Sequence, residues 1–178
     1  MFQGGLLAAL SASLIAYSDP VNNPPDAAVD APIVIDMTTS LTARFGSVER
    51  TLDRAYFGVT RSASGATLHV EAYHGGGTGC PTQSSPTTEY TLVLATVPMP
   101  SGMMPVTSPG NLLDFEGDLL GGELGAMATA VTITPKATDV CAACNGTFLS
   151  AEVALTFAGG TITGRLYATH CDSLDEQQ

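Results

Sequence analysis

From Ser40 onward the apolar residues of this chain recur at every second position, and that period constrains the fold more than any other feature. In Leu41-Thr42-Ala43-Arg44-Phe45 the apolar side chains fall at odd positions and Arg44 is left to solvent. In Leu68-His69-Val70-Glu71-Ala72 the polar His69 and Glu71 share the opposite face. Val153, Leu155 and Phe157 alternate with Ala154 and Thr156, and Ile162, Gly164, Leu166 and Ala168 with Thr163, Arg165, Tyr167 and Thr169. Successive side chains of an extended chain point to opposite sides, so these runs read as strands with one buried face, the pattern of antiparallel sheets. Ala158-Gly159-Gly160 and Ser62-Ala63-Ser64-Gly65 stand between runs, where tight hairpin turns belong. About eight strands follow, near 40–46, 53–61, 66–74, 88–97, 111–117, 127–134, 148–157 and 161–170. The expected fold is all-β: a single antiparallel β-sandwich or small barrel. Two long segments interrupt the alternation, His74–Thr88 and Pro98–Gly110, both rich in turn-forming residues. Long loops on a β scaffold are the expected contact surfaces.

The strands begin only after two segments of another kind. Gly5–Tyr17 is an apolar stretch too short to span a bilayer as a helix but of the length of a signal-peptide core. Ala16 and Ser18 are small residues at the spacing a signal peptidase reads, although Met1-Phe2-Gln3 supplies no basic residue. Leu14-Ile15-Ala16 also leads up to the position of a lipobox cysteine, but that position is Tyr17, which has no thiol to carry a lipid. Asp19–Asp36 holds four of the chain's prolines and four aspartates without a basic residue, the composition of an extended linker. The organisation expected is therefore a signal-like segment at 1–18, an acidic linker at 19–37, a β domain at 38–172 and a disordered tail at 173–178, in an exported protein that is periplasmic, outer-membrane-associated or secreted.

Charge limits the partners. With 17 acidic residues against six Lys and Arg, the chain carries a formal charge of −11. Nucleic-acid binding needs a basic surface that releases counterions, and this chain has none to offer. The partner left is a protein or a cell-surface ligand.

Four cysteines, Cys80, Cys141, Cys144 and Cys171, fit disulfides in an oxidising compartment. Three pairings are possible; Cys80–Cys171 with Cys141–Cys144 is preferred, because Cys80 and Cys171 each follow a strand end and Cys141–Cys144 spans an irregular stretch. The alternative is zinc, held by some of His74, Cys80, Cys141, Cys144, His170 and Cys171, in a metal-binding protein or a metal-dependent hydrolase. Against it stands the single C-x2-C, half of the paired pattern such sites use. A redox C-x-x-C needs a helix after Cys144, and Asn145-Gly146-Thr147 is a turn. Asp114, Glu116 and Asp118 would share a strand face as a calcium rim, but the loop lacks the EF-hand glycine and glutamate. Met99, Met103 and Met104 are thioethers without a nearby His or Cys to complete a copper site. None of the familiar nucleophile, P-loop or zinc-protease spacings occurs, so no catalytic residue and no cofactor are expected.

The tether Pro24–Pro32 (PPDAAVDAP) with the phrases RTLDRAYFG (Arg50–Gly58), GCPTQSSPTTEYTL (Gly79–Leu92) and FAGGTITGRLYATHCDSL (Phe157–Leu174) resembles short exported, lipoprotein-like β-domain proteins of high-GC Gram-negative bacteria. The resemblance implies location and architecture, and it implies no activity. The function expected is a non-enzymatic binding or structural module at the cell surface or in the periplasm.

Overall fold

The computed structural model describes residues 35–141 and 146–177. The signal-like segment, nearly all of the linker, Cys144 and Asn145 lie outside the described residues. Among those described the chain is all-β, with no α-helix. The strands are β1 Ser40–Phe45, β2 Val48–Leu52, β3 Arg54–Ser62, β4 Gly65–His74, β5 Tyr90–Pro98, β6 Gly110–Asp114, β7 Gly125–Met127, β8 Ala130–Asp139, β9 Phe148–Phe157, β10 Gly160–His170 and β11 Glu176–Gln177, with a 3₁₀ turn at Asp172–Leu174.

They form one curled, open sheet, a half-barrel, ordered β2-β1-β10-β3-β4-β5-β6-β7, with β9 on β10, β8 on β9 and β11 on β3. The curl follows from β10, which is long enough to serve two partners on one edge. Its first half pairs with β1, Ser40 to Phe45 against Arg165 to Gly160. Its end pairs with β3, Ala168 to His170 against Ala55 to Phe57. Only Asp53 separates β2 from β3, so the chain crosses from the outer side of β1 onto β10 within one residue. Gly164, at φ +137°, lets β1 lie close against β10: a side chain there would overlap the Ser40 carbonyl.

The alternation places one face inside. Leu41, Phe57, Leu68, Leu92, Leu112, Leu149 and Ile162 are fully buried in a single cluster, while Arg44 is exposed. Burying a side chain of this kind stabilises by roughly 1.5–3 kcal/mol. Both expected hairpins form with two-residue loops, Ser62 opposite Gly65 and Phe157 opposite Gly160. Pro135 sits at a bulge in β8. A proline is tolerated there because the other edge of β8 carries only an isolated bridge, Val106 to Ile133.

The structure corrects the expected architecture in four places. The sheet is not wholly antiparallel: β10 and β11 both run parallel to β3. Eleven strands are described rather than eight, because β2, β7 and β11 are too short for alternation to reveal. The strand expected to reach 117 stops at Asp114, because the Asp114 carboxylate turns the chain by accepting the Gly117 and Leu120 amides. The expected tail at 173–178 is instead engaged through residue 177, where Glu176 and Gln177 extend the sheet beside Thr60 and Arg61.

Candidate functional site

The long loop after β4 is not a free excursion. Gly75 and Gly76, both at positive φ, turn the chain back over the outer face of β3 and β4. Arg54, on that face, donates to the carbonyls of Gly75 and Gly77. The Gly79 amide donates to the Tyr56 hydroxyl at 3.0 Å, and the Tyr56 ring packs against Tyr73 at 6.1 Å. Cys80 is bonded to Cys171, with the two Cα atoms 5.6 Å apart. Ser173 Oγ donates to the Pro81 carbonyl. Thr82 and Ser85 close a turn inside the loop, the Ser85 amide donating to the Thr82 carbonyl at 3.0 Å. The Glu89 amide returns to the His74 carbonyl at 2.9 Å and shuts the base. Residues 76–80 and 82–87 nevertheless stay exposed. The Cys141–Cys144 pairing involves Cys144, outside the described residues.

The C-terminal partner of this loop is fastened as firmly. The Cys171 amide donates to the Phe57 carbonyl at 2.8 Å. The Leu174 carbonyl rests directly on Gly58, the one residue of β3 without a side chain to lift it away. Asp175 accepts from the Val59 amide at 2.7 Å and faces His170 Nε2 at 3.0 Å. Burial pushes the Asp175 carboxyl up, but the Val59 amide and His170 outweigh it, and its pKa lies below the ordinary value.

Each histidine is matched to carboxylates. His170 lies between Asp175 and Asp172, the latter 3.5 Å from Nδ1, and its ring meets Phe57. His74 stacks on Tyr90, with Asp53 at 3.4 Å and Glu89 at 3.6 Å. The Asp53 carboxylate is close enough to Nδ1 of His74 for an ion pair, yet Nδ1 donates no hydrogen bond to it. His69 Nε2 is 2.7 Å from Glu71, which raises its pKa against the opposing effect of burial.

Among the described residues, the zinc set expected from sequence is not brought together. Cys80 and Cys171 are spent on each other. His170 is level with Phe57, which faces Val70, and His74 lies four residues further along β4, about 13 Å at strand rise. A different trio, His170, Asp172 and Asp175, has ligand atoms within 4.8 Å of one another. Its two carboxylates face opposite nitrogens of one ring, and Asp175 already holds the Val59 amide, so the trio works as a clasp for the C-terminal segment. The calcium rim is also dispersed. Asp114 is buried and satisfied by amides, and Glu116 is exposed. Asp118 accepts from the Tyr90 hydroxyl at 2.8 Å and pairs with Arg50. The Tyr90 bond, with Arg50 beside it, holds the Asp118 carboxyl below its ordinary pKa. Of the three methionines, Met103 and Met104 are 67% and 71% exposed while Met99 packs on the core.

The sequence reading missed the Arg50–Tyr90–Asp118 cluster, whose members are 28 to 68 residues apart and carry no local signal. It also missed a cleft of about 590 Å³ at one end of the curled sheet. The β1–β2 turn, the β9–β10 turn and the segment from Asp118 to Met127 surround it. Phe45 and Phe157, 5.4 Å apart, form its floor. No helix among the described residues is long and apolar enough to cross a membrane. No protein-family model, curated protein or solved structure matches the chain.

Proposed function

We propose that the protein is an exported, non-enzymatic binding module that presents the loop 75–88 as a preformed contact surface. The observation that carries this is the fastening of that loop at Arg54, Tyr56, Cys80 and Pro81 while its residues stay exposed. An unstructured loop of this length would lose much entropy on binding, and pinning it beforehand removes most of that cost. Its Gly, Ser, Thr and Pro residues suit polar contacts to a protein or cell-surface ligand. Export is supported by the signal-like 1–18, the acidic linker and the Cys80–Cys171 bond, which suits an oxidising compartment. The second proposed contact, Pro98–Gly110, leaves the opposite end of β5 and carries the exposed Met103 and Met104.

The test starts with the full chain produced in a Gram-negative host and recovered from the cell envelope. Intact mass should fall by four hydrogens relative to the reduced form, with no stoichiometric metal. Free thiols with one zinc per chain would overturn the reading in favour of the metal-dependent alternative. Retention of the chain in the cytoplasm would overturn the export part alone.

A further inference from the structure

The cleft between the β1–β2 turn, the β9–β10 turn and the Asp118–Met127 segment lies apart from the loop 75–88 and shares no residue with it. Its volume falls in the range of small-molecule sites. The floor is aromatic and buried; Val48, Leu119, Leu120 and Ala126 supply apolar walls. Met127 at its lip is 63% exposed and the neighbouring Leu124 61%. Exposed apolar residues gathered at one opening mark a surface that is covered in use, and methionine at a lip adapts to the shape of a guest.

The charged groups lining the cleft are the carboxylates of Asp118 and Glu123, and no Lys, Arg or His lines it. Asp118 shares its charge with Arg50. Glu123 is exposed and has no ion-pair partner among the described residues. The rim therefore carries net negative charge above an apolar floor, in a chain already at −11. We propose that this cleft binds an amphiphilic amine: an aliphatic or aromatic group seated on Phe45 and Phe157, with its cationic head at Glu123 and Asp118. An anionic amphiphile of the same tail would bring like charge to the rim and be disfavoured.

Octyltrimethylammonium and octyl sulfate, both below micelle-forming concentration, test this on the full chain by calorimetry and methyl NMR. The ammonium compound should bind one per chain, shift the methyls of Val48, Leu119, Leu120 and Met127, and bind at least about tenfold tighter than the sulfate. Glu123→Lys should abolish that preference while the tail still binds. Ala126→Trp should fill the cleft and weaken both compounds. Met127→Arg, at an exposed position, blocks the ammonium compound by bulk and like charge without burden on the core. Equal affinity for the two head groups, shifts confined to other residues, or unchanged affinity in both blocking variants would overturn the proposal. The loop reading stands or falls separately, since none of these variants touches residues 75–88.

Discussion

His69 and Glu71 were legible as an outward-facing pair from alternation alone, and the structure adds that they bond to each other. The consequence is a pH dependence of defined sign. Glu71 raises the His69 pKa above 6.5, with Glu176 of β11 contributing in the same direction. The stabilisation is therefore fully present below about pH 6.5 and is lost as pH rises through the folded value. His69→Gln should cost about 1 kcal/mol at pH 5.5 and almost nothing at pH 9, measured by urea denaturation. A cost independent of pH would show that His69 acts only by packing. Gly58 makes a second residue-scale test. An added methyl would meet the Leu174 carbonyl, so Gly58→Ala should destabilise by about 1–3 kcal/mol. Nothing in the local sequence marks Gly58, because what covers it arrives from more than a hundred residues later. Separations of 28 to 68 residues likewise hid the pairing of Arg50, Tyr90 and Asp118, whereas Arg44 could be placed by its neighbours.

At the scale of elements, the long strands were readable and the short ones were not. β9 and β10 alternate over ten and eleven residues, enough for the period to stand out. β2, β7 and β11 have five, three and two residues, too few to show one. Carboxylate spacing misled at Asp114–Asp118 because a strand was extended through a turn that Asp114 itself creates. The element most in need of its fastening is the C-terminal segment from Cys171 to Gln177. Replacing Cys80 and Cys171 together by serine removes a cross-link over 91 residues, worth about 4–5 kcal/mol in the chain-entropy model. Denaturation should show a loss of that order. Asp175→Ala should leave the Val59 amide unpaired and cost about 1–3 kcal/mol near neutral pH. Part of that cost should disappear in acid, because the lowered Asp175 pKa means its stabilisation is present above about pH 3.8 and lost as pH falls through the folded value.

For the whole molecule, the half-barrel leaves two surfaces with different physics. One is the polar loop 75–88, stapled to the outside of the sheet; the other is the apolar, acid-rimmed cleft at one end. The fold class followed from a period of two, but neither surface did, since each is assembled from segments far apart in the chain. Binding through the loop requires that it be held in place before any partner arrives. Hydrogen exchange on the oxidised full chain measures this directly. Exchange should be slowed at the Gly79, Ser85 and Glu89 amides, which donate to Tyr56, Thr82 and His74, and faster at Gly79 once the Cys80–Cys171 bond is reduced. Exchange at unprotected rates across 75–89 in the oxidised protein would contradict it.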